Sequence, residues 1–106
     1  MKTLSAKPWF VYILRCADGT YYTGHTDNIE HRVGQHMAGA VDSYTATRLP
    51  VVPVFVQEFT TWEEALAMEL RIKGWGQKKK EAMMRGDWNE VSRLSKGLHL
   101  HERRKI

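Results

Sequence analysis

Residues 9–16, WFVYILRC, set β-branched and aromatic side chains next to one another, and residues 20–26, TYYTGHT, do the same. Between them stands Ala17-Asp18-Gly19-Thr20. Asp-Gly between two such runs predicts a hairpin, because glycine adopts the positive φ of a tight turn. Alternation puts Phe10, Tyr12 and Leu14 on one face of the first strand and Val11, Ile13 and Arg15 on the other. In the second strand Tyr22 and Gly24 face away from Tyr21 and Thr23. The period then becomes helical: Ile29, Val33 and Met37 form a stripe within residues 28–38, capped by Thr26 or Asp27 and ended by Gly39. Residues 39–50, GAVDSYTATRLP, follow neither period and read as a loop closed by Pro50. Residues 51–59 are again rich in β-formers, and Pro53 argues for an edge position or a late start. Thr61-Trp62-Glu63-Glu64 is a capping box opening a helix to about residue 75, where Gly74 and Gly76 weaken it. Shorter helices are predicted over 78–85 and, after Gly86, from Asp87 through 95. The order predicts an α/β fold: a small three-stranded, mainly antiparallel sheet flanked by helices.

A few polar residues stand where the pattern asks for apolar ones. On the helix after Thr61, Ala65, Met68, Ile72 and Trp75 form one stripe, and Glu69 falls near the middle of that arc. A carboxylate aimed at a core costs several kcal/mol unless a cation, a metal or hydrogen bonds receive it, so it points to a site or to a buried ion pair. On the first helix, Arg32 and His36 stack at i and i+4 along the apolar border. An arginine there can equally snorkel to solvent. Tyr12 and Tyr22 project together if the strand register allows it, which alternation alone does not settle. Packing across strands is the competing use of two such rings.

Composition narrows the class. The chain has 106 residues, enough for one domain with a short appendage, and 42% of them are hydrophobic. No run approaches the ~20 apolar residues of a membrane span. The N-terminus, MKTLSAKPWF, lacks a signal peptide's apolar centre. The single cysteine, Cys16, excludes an internal disulfide, and a reducing cytoplasm is the expected compartment. The net charge of +4 is uneven: residues 1–70 carry five Lys/Arg against eight Asp/Glu, and residues 71–106 carry eleven against four. A basic block of this kind suits a polyanionic partner such as nucleic acid, although a solvated tail has the same composition.

Taken together, these residues resemble the GIY-YIG nuclease superfamily. Phe10-Val11-Tyr12 stands at the first signature triplet and Tyr22-Thr23-Gly24 at the second, followed by Thr26; Arg32 and His36 then lie on the next helix and Glu69 on a later one. The first triplet keeps only its tyrosine, threonine takes the middle of the second, and Met37 follows His36 where an asparagine is frequent. The stretches YTGHTDNIEHRVGQH, RLPV, EEALAMELRIKGW and KKKEAMMRGDW read like the small stand-alone bacterial members. The resemblance spans residues 8–85, leaving 86–106 as a C-terminal helical extension and basic tail.

It implies a three-stranded antiparallel sheet with flanking helices and metal-dependent phosphodiester hydrolysis in DNA. The expected setting is repair, or structured or single-stranded DNA. Tyr12, Tyr22, Arg32, His36 and Glu69 would be catalytic, with Glu69 holding Mg²⁺ or Mn²⁺. Thr26, Tyr44, Thr45, Arg48, Lys78, Lys79 and Lys80 would meet substrate. A tyrosine or His36 would take the proton of the attacking water. Members that cut at chosen sequences usually carry an added DNA-binding domain, so low specificity is expected unless a protein partner supplies it. RNA cleavage, a non-cutting nucleic-acid-binding module, and an interaction domain anchored on Trp62, Trp75 and Trp88 are the alternatives. His99 and His101 have no companion ligands in the sequence and read as tail residues, like the basic Arg103-Arg104-Lys105.

Overall fold

The computed structural model describes residues 7–95; the tail histidines and the last basic run lie outside them. The chain forms two compact units that divide between Lys73 and Gly74.

In the first unit, β1 (Trp9–Arg15) is central, β2 (Tyr21–Thr26) lies on one side and β3 (Val52–Phe59) on the other, all antiparallel. This is the α/β sheet expected. Gly19 makes the hairpin turn at φ +86°, and the Asp18 carboxylate accepts from the Thr20 amide at 3.1 Å. The register decides the tyrosines: Tyr12 pairs with Gly24 and Leu14 with Tyr22, so both phenols share a face. Val11 pairs with His25 and Ile13 with Thr23 on the opposite face. Pro53 sits in the edge strand β3, and the β1–β3 register slips there, from Ile13 opposite Phe55 to Leu14 opposite Pro53. Val52, Val54 and Val56 are exposed along this strand.

Helix α1 (Ile29–Met37) begins one residue later than the expected 28: Asn28, and neither Thr26 nor Asp27, is the cap, and its side chain accepts from the His31 amide at 3.2 Å. The predicted loop over 39–50 contains a helical turn, α2 (Ser43–Ala46), capped by Asp42. Four residues are too few to display a helical period. With α1 it covers the tyrosine face, where Tyr12, Leu14, Cys16 and Val51 form a core packed by Tyr22, Ile29, Val33 and Tyr44.

Helix α3 (Trp62–Lys73) opens with the expected reciprocal box: Thr61 Oγ1 accepts from the Glu64 amide at 3.2 Å, and Glu64 accepts from the Thr61 amide at 3.3 Å. It lies on the other face, because Trp62 and Glu69 both bond His25. Ala65, Glu69 and Ile72 are its buried residues, and all three lie on the apolar arc predicted for it. It stops at Lys73, short of the expected 75, and Trp75 belongs to the second unit. That unit holds α4 (Gln77–Met84), a turn at Gly86 with φ +76°, and helical residues 88–95 capped by Asp87, which accepts from the Glu90 amide at 3.1 Å. Among the described residues, no helix is long and apolar enough to cross a membrane.

Candidate active site

The site is built on the pairing of Tyr12 with Gly24. A Cβ placed on Gly24 would stand 2.5 Å from the Tyr12 hydroxyl oxygen and 2.7 Å from Cζ. Tyr12 is 1% exposed and hydrogen-bonded, so its ring has no room to retreat. Glycine here lets the phenol lie across the neighbouring strand and reach α1.

There it meets His36, which is fully buried. Its two nitrogens are both engaged: Nε2 with the Tyr12 hydroxyl at 2.9 Å, and Nδ1 with Thr45 Oγ1 at 2.9 Å. Thr45 donates its proton to the Asp42 carbonyl at 3.3 Å. The Thr45 oxygen is then the acceptor for Nδ1–H, which leaves Nε2 unprotonated and accepting from Tyr12. Burial holds the His36 pKa below its ordinary 6.5; Asp42 opposes the shift and Arg32 adds to it. The imidazole is therefore neutral, and its free base points at Tyr12.

Tyr22 lies beside this pair, its ring centroid 4.9 Å from that of His36, and donates to Asp42 Oδ2 at 3.1 Å. Its pKa is pushed up to about 12, by burial first, then by the Asp42 and Glu69 charges, with Arg32 opposing. Burial also raises Tyr12 well above the usual phenol value, aided by Tyr22 and Glu69 and opposed by Arg32. Both side chains are phenols, not phenolates, near neutrality.

Arg32 and Glu69 thus act on both hydroxyls electrostatically, which ties α1, α3 and the hairpin into one local field. Arg32 Nε is buried without an acceptor. An unmade hydrogen bond of a charged donor is costly unless a ligand completes it. Glu69 is 7% exposed, and its direct partners are on its own side of the sheet: Oε1 accepts a hydrogen bond from His25 Nδ1, and Oε2 accepts from Lys73 Nζ at 2.7 Å. Trp62 Nε1–H donates to His25 Nε2 at 3.2 Å. Indole only donates, so this bond keeps Nε2 bare and puts the imidazole proton on the nitrogen facing Glu69.

The residues expected to meet substrate are placed as follows. Thr26 is buried and closes the turn into α1, accepting from the Asn28 amide at 3.1 Å. Thr45 is buried against His36. The Arg48 guanidinium stacks 3.8 Å from the Tyr44 ring centroid and bonds Asp18 Oδ2 at 3.1 Å, so these two and the hairpin turn are braced together. Lys78, Lys79 and Lys80 are on α4, in the second unit.

The GIY-YIG catalytic domain model matches residues 8–82. This chain belongs to the GIY-YIG family. It is similar to a UPF0213 protein of Halobacterium salinarum, 42% identical over 73 residues that cover 69% of this chain and 95% of that one. A UPF0213 protein of Staphylococcus haemolyticus is 41% identical over 75 residues, covering 71% and 92%. The solution NMR structure of a protein from E. faecalis superposes with a TM-score of 0.54 at 33% identity, covering 76% of this chain and 85% of that one. A GIY-YIG domain places this chain in a nuclease family whose enzymes generally need a divalent metal.

The donor set bears on that metal. Among the described residues, no three of His, Cys, Asp and Glu group to form a protein-only site. Glu69 is a single hard carboxylate, which suits Mg²⁺ or Mn²⁺ that keeps most of its water and shares substrate phosphate oxygens. The residues fit such an ion once Lys73, whose side chain is 48% exposed, swings off Oε2.

His25, Asp42, Trp62 and Lys73 are neighbours of the site in this GIY-YIG chain that the sequence pattern does not single out. Asp42 was legible only as a cap-type residue. His25 meets Glu69 across 44 positions, a contact that depends on strand register.

Proposed function

We propose that this protein is a metal-dependent endonuclease that hydrolyses phosphodiester bonds in DNA with low sequence specificity, acting in repair or on structured or single-stranded DNA. The observation that carries the reading is the buried Arg32 Nε donor with no acceptor, set beside two phenols and a neutral imidazole.

Arg32 binds the non-bridging oxygens of the scissile phosphate by charge-assisted bonds and stabilises the charge that develops on them. Tyr12 accepts a hydrogen bond from the attacking water. As the water's oxygen closes on phosphorus and the opposite bond to the leaving sugar oxygen breaks, the water's proton passes to the Tyr12 oxygen and the phenol's own proton moves to His36 Nε2, while the departing alkoxide takes a proton from solvent. No phenolate forms, which the raised Tyr12 pKa requires. The resulting imidazolium is held by Thr45 through Nδ1–H. Tyr22, fixed by Asp42, packs its ring on His36 and orders the water from the other side. A divalent ion on Glu69 would supply positive charge to the phosphoryl and leaving oxygens.

The test incubates branched, single-stranded and duplex DNA, and RNA, with the protein and Mg²⁺ or Mn²⁺. Wild type is expected to cut DNA. Tyr12→Phe, His36→Gln and Glu69→Ala should each lose at least about a hundredfold. Equal cutting by wild type and all variants would end the assignment, and preferential cutting of RNA would move it to that substrate. A second reading, a binding module that does not cut, draws on one observation: both Glu69 oxygens are already bonded, to His25 and Lys73. Salt-sensitive binding with no cleavage under any metal would favour it.

A further inference from the structure

The second unit holds a groove of about 380 Å³ lined by Trp75, Lys78, Lys79, Arg93 and Leu94. Trp75 is half-buried, and Gly76 beside it adds no bulk. The Lys79 ammonium stands 4.6 Å from the Trp75 ring centroid. Arg93 is neutralised by two bonds to Glu90, at 2.8 and 2.5 Å. Among the described residues, Lys78 and Lys79 form no ion pair. The groove therefore offers a flat electron-rich ring and two ammonium groups, Lys79 over that ring and Lys78 within the field of Glu90, with no carboxylate on its lining.

We propose that this groove takes one nucleotide of a single-stranded nucleic acid, the base stacking on Trp75 and the flanking phosphates meeting Lys78 and Lys79. A ring that already receives a cation on its face also receives a base, and the displaced ammonium is then beside a phosphate. A duplex keeps its bases stacked inside, so an unpaired strand is the form that fits. An acidic peptide answers the charges but leaves the ring without a flat partner. The inference rests on the nuclease reading only for the class of polyanion.

Binding of a labelled oligothymidylate to the 106-residue chain, followed by fluorescence anisotropy in EDTA, tests it without cleavage. Trp75→Leu is expected to weaken binding about tenfold, and Trp75→Phe to keep most of it. Lys79→Met should lower the slope of log affinity on log salt by about 0.7. An abasic oligonucleotide should bind wild type as weakly as oligothymidylate binds Trp75→Leu. The proposal is overturned if Trp75→Leu binds like wild type, if the Leu and Phe variants fall together, or if abasic strand or polyglutamate binds as well as the oligonucleotide. A chain that binds this way yet never cuts would sink the nuclease reading and leave the groove standing. Cleavage with binding unchanged in Trp75→Leu would do the reverse.

Discussion

His36 is a fully buried base kept neutral, and that has a direct consequence for pH. Its folded pKa lies below 6.5, so as pH falls through 6.5 the unfolded chain binds a proton that the folded chain refuses. The stability tied to this difference is complete above the unfolded value and is lost as pH drops through 6.5 and on towards the folded pKa. Urea midpoints measured from pH 7.5 down to 5 should fall in wild type and fall less in His36→Gln. If His36 is the proton acceptor, the acid limb of the rate profile also lies below 6.5. Thr23 gives a second expectation. Its hydroxyl is buried, at 3% exposure, and has no partner, so Thr23→Val removes a penalty and keeps the shape. We expect a gain of about 1 kcal/mol, read as a higher melting temperature.

At the level of elements, α3 combines a task in the core with one at the site. Its Lys73 sits one turn beyond Glu69 and shields one carboxylate oxygen, while His25, held by Trp62, covers the other. On the proposed role of Glu69 as the metal ligand, Lys73→Met removes a competitor for the ion and should lower the half-saturating Mg²⁺ concentration of cleavage about fivefold, the equivalent of about 1 kcal/mol. An unchanged or higher requirement would mean that Lys73 does not guard Glu69. The strands, the Asp18-Gly19 turn and the Thr61 box were legible because their signals are local. Glu69 was legible because a charge within an apolar stripe contradicts its surroundings. The turn at Ser43–Ala46 was not, since a single cap and four residues carry no period. Nor was the end of α3: Trp75 continues the stripe of Met68 and Ile72, and the stripe outlasted the helix that Gly74 and Gly76 cut short.

At the scale of the whole molecule, one strand separates two different surfaces. Through Tyr12 and Leu14, β1 supplies the phenol face under α1 and α2; through Val11 and Ile13 it supplies the floor beneath α3. A slip of one residue in its register would exchange the two and dismantle the site. That dependence is why the tyrosines' shared face could not be settled from alternation: it is a property of pairing across the hairpin and appears only when the sheet forms. The outer side of β3 raises a separate matter, solubility. An edge with exposed valines at 52, 54 and 56 is a template on which a strand from another molecule can dock. Pro53 has no amide proton to offer, and the slip beside it bends the strand out of true, so such docking finds no continuous ladder. Replacing Pro53 with Val should leave the monomer folded but make concentrated solutions turn cloudy on warming, which light scattering would record. A clear solution indistinguishable from wild type would mean that this edge is protected by something other than its proline.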